Sequence, residues 1–177
     1  MPSNTKLSLT TGEDPRNNVL YEDGRAVYRI VTPFAFTGRK TTISKIVDGG
    51  LARAVAEIEW HSIASSVFKF DGGEVSTSNY FRSTALSGII GSNRIFTAPN
   101  GREYKWRFSV SSKPKLYVND GSDTTVACFH GSSIGLLSPT RDAYLEIYPE
   151  GRHIKDVIVM TFIYVEKLRR DKKQAAQ

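Results

Sequence analysis

The segment Val157-Ile-Val-Met-Thr-Phe-Ile-Tyr-Val165 is apolar on every side, and it decides how the chain can fold. Its β-branched residues favour a strand. The fifteen residues of 154–168 would extend about 50 Å as a strand, whereas a globule of 177 residues has a radius of gyration of about 16 Å. As a helix they span about 22 Å. The sequence therefore predicts a helix over 154–168 that is buried all round.

Charges at the two ends of this segment also favour a helix. Asp156 near the start and the basic residues after Val165 complement the helix dipole, and Glu166 with Arg170 makes a favourable i,i+4 pair. A membrane span is the alternative, but the nine residues between Asp156 and Glu166 cover only about 14 Å of helix against a hydrocarbon core of about 30 Å. We therefore expect no transmembrane span, and a partly exposed basic tail over 166–177.

Turn signals recur at short intervals through the rest of the chain, and strand-length runs lie between them. The clearest hairpin surrounds Pro99-Asn100-Gly101. In the run that follows, Tyr104, Trp106 and Phe108 alternate with charged residues, so Trp106 should face the core. Further strands are predicted near 6–11, 18–22, 26–32, 41–47, 54–60, 67–70, 93–97, 114–118, 124–130 and 143–148, with a short helix over 78–86. This pattern is typical of a mainly β domain, either a sandwich or a barrel.

Composition indicates one soluble domain over residues 1–177. The apolar fraction of 40% and the charged fraction of 24% are those of a folded globule. The start of the chain lacks the apolar stretch of a secretion signal, and the single Cys128 cannot form an intramolecular disulfide. These features predict a reducing compartment: the cytoplasm, with the nucleus or a membrane surface as alternatives.

The net charge of +6 is unevenly distributed, because 166–177 holds five basic and two acidic residues. The rest of the chain therefore falls short of the dense basic stripe that marks a dedicated nucleic-acid binder.

Several short motifs together resemble a known family. They are Asp14-Pro-Arg-Asn17, Tyr28 with Thr32, Ala56-Glu-Ile-Glu-Trp60, Arg94-Ile-Phe-Thr-Ala98, Gly101-Arg-Glu-Tyr-Lys-Trp106 and Val159-Met-Thr-Phe-Ile-Tyr-Val-Glu-Lys-Leu-Arg-Arg170. By their order and spacing, from about Lys6 to Lys173, they resemble a family of unknown function common in mushroom-forming fungi and related to the tubby C-terminal-like superfamily.

The resemblance implies a closed barrel of about twelve strands around a central hydrophobic C-terminal helix. Tubby domains bind phosphoinositides and their scramblase relatives engage membrane lipids, so the resemblance also implies a lipid-binding module. It assigns no individual residue to a site, and a shared fold does not by itself establish a shared function.

Two sets of side chains support catalytic hypotheses. Glu57, Glu59 and His61 share one strand face, where they can ligate a metal or perform acid–base chemistry, or simply form the solvated side of a sheet. Cys128 and His130 also share a face and can form a thiolate–imidazole pair, unless Cys128 is a buried structural residue. No Gly-rich phosphate loop, nucleophile elbow or zinc-spaced cluster occurs in the sequence. We therefore assign no catalytic residue, metal or cofactor.

Basic residues are the candidates for binding lipid head groups or other anions. They are Arg39, Lys40, Lys105, Arg107, Lys167, Arg169, Arg170, Lys172 and Lys173. Solvated surface charge is the competing interpretation.

The primary functional hypothesis is a non-enzymatic binding module for phosphoinositides, for other anionic lipids or for a protein partner. An enzyme that uses Cys128 with His130, or the face of Glu57, Glu59 and His61, is one alternative. A nucleic-acid-binding regulator is the other.

Overall fold

A computed structural model describes residues 3–35, 38–84, 92–133 and 140–177 of the chain. Thirteen strands form one antiparallel sheet. They are β1 (Thr5–Leu9), β2 (Asn18–Glu22), β3 (Arg25–Val31), β4 (Lys40–Ile46), β5 (Ala52–Glu59), β6 (Val67–Phe70), β7 (Gly73–Ser76), β8 (Arg82–Thr84), β9 (Ser92–Thr97), β10 (Glu103–Phe108), β11 (Lys115–Val118), β12 (Thr125–His130) and β13 (Tyr144–Ile147). The helices are α1 (Thr77–Tyr80) and α2 (Lys155–Ala175), with 3-10 turns at Asp48–Gly50 and Pro149–Ile154.

The strand order is β7-β6-β5-β4-β3-β2-β1-β13-β12-β11-β10-β9-β8. The first strand therefore pairs with the last, and β7 and β8 lie at the two ends of the order. Within the described residues no hydrogen-bonded ladder joins β7 to β8, so the sheet is not closed by hydrogen bonds. The prediction of a mainly β fold with a C-terminal helix is confirmed.

Two strands and a helix boundary differ from the predictions. The short helix predicted over 78–86 is only the four residues of α1, which begins at Thr77; β8 follows, and 85–86 lie outside the described residues. The short strand β7 had no counterpart among the predicted strands. Both β7 and β8 end the sheet and contain no fully buried side chain, so neither has the apolar alternation that identifies a buried strand.

Two Asp-Gly pairs form the tightest hairpins. Asp23 and Gly24 join β2 to β3 with φ angles of 49° and 78°, and Asp71 and Gly72 join β6 to β7 with 50° and 74°. Positive φ at both positions is what a two-residue hairpin matched to the strand twist requires. The hairpin between β9 and β10 is confirmed with a different turn, in which Gly101 alone has a positive φ of 76° and its amide donates to the Ala98 carbonyl at 2.9 Å.

Helix α2 is buried from Ile158 to Glu166, as its apolar pattern predicts, but it runs seven residues beyond the predicted end at 168. Phe162 packs against Trp106 of β10 and Phe129 of β12, with ring centroids 6.3 and 4.8 Å apart. On another side, Tyr164 packs against Phe68 of β6 at 5.3 Å. Strands from both halves of the sheet order therefore contact α2, and Trp106 faces the core as predicted.

The antiparallel topology gives the sheet two poles. At the entry pole α2 begins, and Lys155 donates to Glu22 at the end of β2 at 2.7 Å. At the exit pole α2 ends, and Arg169 donates to the Val110 carbonyl at 3.5 Å. The exit pole carries the loops that follow β1, β3, β5 and β10, and the entry pole carries the turns after β2, β4, β6 and β9. None of the described helices is long and apolar enough to cross a membrane.

Candidate functional site

Most of the basic candidates meet at the exit pole. The loops after β3 and β5 are joined there by a hydrogen bond from the Trp60 amide to the Arg39 carbonyl at 2.8 Å. The end of α2 lies against them, with Lys167 Nζ 5.5 Å from the centre of the Trp60 ring. The sheet order thus brings together basic residues that are far apart in the sequence. They are Arg39, Lys40, Lys167, Arg169, Arg170, Lys172 and Lys173.

Two of these basic residues, Arg169 and Arg170, form ion pairs within α2. Glu166 is fully buried, and its carboxylate accepts hydrogen bonds from Arg169 Nε and Nη2 at 2.7 and 2.8 Å and from Arg170 Nε at 3.1 Å. The hydrogen bond to Glu166 raises the pKa of Arg169 despite the opposing effect of burial. Arg169 is therefore a buried ion-pair partner and not an exposed cation, and the fully exposed part of the tail is 171–177.

The remaining exit-pole cations reach solvent. Arg39 and Lys173 are exposed and form no ion pair with a described residue, and Lys172 is exposed. Lys40 lies between Glu57 at 3.2 Å and Glu59 at 3.6 Å. Positive charge is therefore available at this pole from the loop after β3 and from the end of α2.

Two large apolar side chains at the exit pole are also largely exposed. Phe34, in the loop after β3, is 78% exposed, and Ile63, in the loop after β5, is fully exposed. The sequence alone did not identify them as candidates, because single apolar residues are common in polar loops. Their significance depends on which other residues the fold brings near them. Their position beside exposed cations distinguishes them.

A small cleft opens at the same pole where the sheet is not closed. It encloses about 280 Å³ and reaches α2 between the loop after β5, α1 and the strands β8 and β9. Its charged and aromatic lining comprises Arg94, Lys167, His61, Trp60 and Tyr164. Its hydroxyl lining comprises Ser65, Ser66, Thr77, Ser78 and Ser83. We call it the hydroxyl cleft; Arg94 was not among the residues predicted to bind anions.

Lys105 and Arg107 lie on the outer face of β10, whereas the other basic candidates lie just before or on β4 and on α2. Both point outward from β10, as predicted, but Arg107 is held by Asp123 at 2.6 Å and stacks over the Tyr117 ring at 4.6 Å. Arg107 is therefore already engaged by a carboxylate and an aromatic ring on the outer face of the sheet.

The outer face of β4, β5 and β6 carries a ladder of opposite charges. Glu59 pairs with Lys69 at 3.1 Å and with His61 Nε2 at 3.1 Å, and Glu57 pairs with Lys40 at 3.2 Å. The hydrogen bonds from His61 and Lys69 lower the pKa of Glu59 to about 2. Glu57 and Glu59 are thus neutralised by Lys40 and Lys69 on a sheet face, and His61 contacts Glu59 alone of the two. No group of three His, Cys, Asp or Glu residues able to hold a metal occurs in the described parts of the chain.

Cys128 and His130 lie on one outer face of β12, and the structure adds Glu146 of β13. His130 Nε2 is 3.0 Å from Glu146 Oε2, and its ring stacks on Tyr144 with centroids 4.4 Å apart. Burial raises the pKa of the Cys128 thiol; Lys115 opposes that shift and Glu146 adds to it. A thiol with a raised pKa is protonated at neutral pH, which is the opposite of what a cysteine nucleophile needs.

Two cavities flank the start of α2 at the entry pole, of about 460 and 480 Å³. Both are lined by Asp156, whose carboxylate accepts hydrogen bonds from Tyr28 and, at 3.1 Å, from Lys45. Burial and the bond to Asp156 both raise the pKa of Tyr28, which keeps its hydroxyl a donor. Asp156 is neutralised by these partners, and the arrangement anchors α2 to β3 and β4.

Comparison with protein-family models identifies a family for this chain. A family model, described as a family of unknown function, matches residues 13–171. No curated protein and no solved structure matches the chain.

Proposed function

We propose, from the premise that the chain belongs to this family of unknown function, DUF6593, that the protein is a non-enzymatic module that docks on anionic membrane surfaces through its exit pole. The observation that carries the proposal is the exposure of Ile63 and Phe34 beside the basic end of α2. The two apolar side chains can enter the head-group layer of a membrane, while the basic side chains contact the lipid phosphates.

Each of these side chains is expected to contribute a small favourable free energy to membrane binding. Burying an isoleucine side chain contributes about 1.5–3 kcal/mol, and each basic residue close to an anionic surface contributes about 1 kcal/mol. Two apolar side chains and a few basic residues therefore give reversible membrane binding, which weakens as salt screens the charges. Since anionic lipids are concentrated in the cytoplasmic leaflet, the proposal places the protein in the cytoplasm.

A protein partner is the alternative occupant of the same pole. Exposed apolar residues rimmed by charge also occur in protein interfaces. Such binding would not require anionic lipid, so vesicles of different charge separate the two interpretations.

The proposal is tested by sedimentation with vesicles of phosphatidylcholine alone and with added phosphatidylserine. Wild type should sediment with the anionic vesicles only, and Ile63→Asp and the double variant Arg39→Glu/Lys173→Glu should each lose most of that binding. Leu51→Asp is the matched control, because Leu51 is 71% exposed at the entry pole. If Ile63→Asp binds as wild type does, or Leu51→Asp loses as much binding, the exit pole is not the membrane contact.

We also propose that the sheet wraps α2 as a barrel and that the fold is tubby-like, in keeping with the resemblance to the mushroom-type family. The support lies between β7 and β8, where aromatic side chains occupy the gap left by the missing ladder. Tyr80 stacks on Phe96 at 5.6 Å and meets Phe68 edge-on at 5.2 Å, linking the two ends of the strand order.

A further inference from the structure

We propose that the hydroxyl cleft binds a phosphate monoester group. The cleft lies where β7 and β8 do not pair, so its two walls come from opposite ends of the strand order and its floor is α2. The inference rests on the proposed function only where the phosphate belongs to a lipid.

The charge of the cleft selects an anion. Arg94 and Lys167 both line it, and none of the described residues that line it is Asp or Glu. The entry-pole cavities, by contrast, are lined by Asp71 and Asp156 as well as by cations. Arg94 Nη1 donates to the neighbouring Asn93 carbonyl at 3.1 Å and its guanidinium pairs with no carboxylate of the described residues. Lys167 pairs with Asp171 at the exposed end of α2.

His61 lines one wall of the cleft. Its Nδ1 is 2.9 Å from the Ser65 carbonyl, and its Nε2 is 3.1 Å from Glu59 Oε1. Both of these oxygens accept hydrogen bonds, so the imidazole is held between Ser65 and Glu59 and is not an unpaired cation of the cleft.

The size and hydroxyl content of the cleft favour a monoester over a diester. Five Ser and Thr residues line about 280 Å³, which is near the lower limit for ligand pockets. A phosphate monoester carries between one and two negative charges at neutral pH and three terminal oxygens. Two cations and several hydroxyl donors match that group, whereas a diester has one charge and two such oxygens.

Tryptophan fluorescence provides a direct test with inorganic phosphate as the probe. Trp60 lines the cleft, whereas Trp106 is fully buried and hydrogen-bonded to Thr161. Phosphate at constant ionic strength should give a saturable change in wild type that disappears in Trp60→Phe. Arg94→Gln should weaken binding about tenfold or more, the usual effect of losing a charged hydrogen bond. Arg53→Gln, with the same charge change at the entry pole, should bind as wild type does.

The outcomes separate this inference from the proposed function. Unchanged phosphate binding in Arg94→Gln would overturn the cleft assignment. If that variant does not fold, unchanged binding in Lys167→Gln would overturn it. Vesicles containing phosphatidic acid or phosphatidylserine at matched charge then identify the source of the phosphate. A preference for phosphatidic acid that Arg94→Gln removes assigns a lipid. Phosphate binding without vesicle binding assigns a soluble phosphate ester, so the cleft stands while the membrane proposal fails.

Discussion

The indole Nε1 of Trp106 donates a hydrogen bond to the Thr161 hydroxyl at 3.0 Å, and both side chains are fully buried. Thr161 in turn donates to the Val157 carbonyl one turn earlier in α2 at 2.8 Å. A polar contact therefore sets the rotation of α2 against β10 inside an apolar core, where non-directional packing would leave that rotation less defined.

Thr161→Val should destabilise the protein by about 1–3 kcal/mol, because valine keeps the volume and leaves the indole N–H unsatisfied. Urea unfolding measures the loss. In a Trp106→Phe background the same substitution should cost much less, since no indole remains to be satisfied. Equal costs in the two backgrounds would mean that the hydrogen bond contributes nothing.

Replacement of Glu166 by alanine should be severe. It leaves Arg169 buried without its carboxylate, and breaking a buried pair in this way costs about 3–5 kcal/mol. Asp171→Ala, which removes the partner of Lys167 near the surface, should cost less than about 1 kcal/mol. The double variant Glu166→Leu/Arg169→Met should recover much of the lost stability. A mild effect of Glu166→Ala in thermal melts would contradict the buried assignment.

The charge ladder on the outer face should make stability fall on the acid side. The pKa of Glu59 is about 2 in the folded protein against an ordinary value of 4.5. Its contribution is therefore complete above about pH 4.5 and disappears as the pH falls toward 2. The difference in Tm between wild type and Glu59→Gln should be small at pH 7 and absent near pH 2. A difference that grows on acidification would reverse the assigned sign. Glu74→Gln, whose carboxylate is 3.9 Å from Lys69, is the control.

Cys128 should react slowly with a thiol reagent in the native protein and rapidly in denaturant. Burial and the raised pKa both suppress the thiolate that such reagents require. Because this is the single cysteine of the chain, the Cys128→Ala variant measures the background signal of the reagent. Fast native labelling would favour the enzyme hypothesis built on Cys128 and His130.

The elements that bury a regular face could be predicted from the sequence. The period-two alternation around Trp106 and the apolar run in α2 each reflect burial, and each predicted element exists. The end strands β7 and β8 bury little and so leave no such pattern. Arg169 resembled a surface cation because its burial depends on Glu166, three residues earlier on the same helix.

The surface proposed to bind ligands depends on the strand order. Ile63, Arg94 and Lys167 lie in three separate segments, and nothing local in the chain relates them. They share a pole because β5, β9 and α2 are arranged by the pairing of the first strand with the last. Such a surface becomes visible only once the sheet is assembled, whereas an active-site motif in one segment would have been visible directly.

The pairing of β1 with β13 also determines how the chain must fold. Every other ladder among the described strands joins neighbours in sequence, so the hairpins of β1–β7 and of β8–β13 close short loops at little entropic cost. The β1–β13 ladder closes nearly the whole chain and is the slow, long-range step. Until this ladder forms, the apolar residues of α2 cannot be fully buried. During that time the exposed helix can cause chains to aggregate. The length of this period is therefore set by the rate at which β1 pairs with β13, and not by the formation of any hairpin.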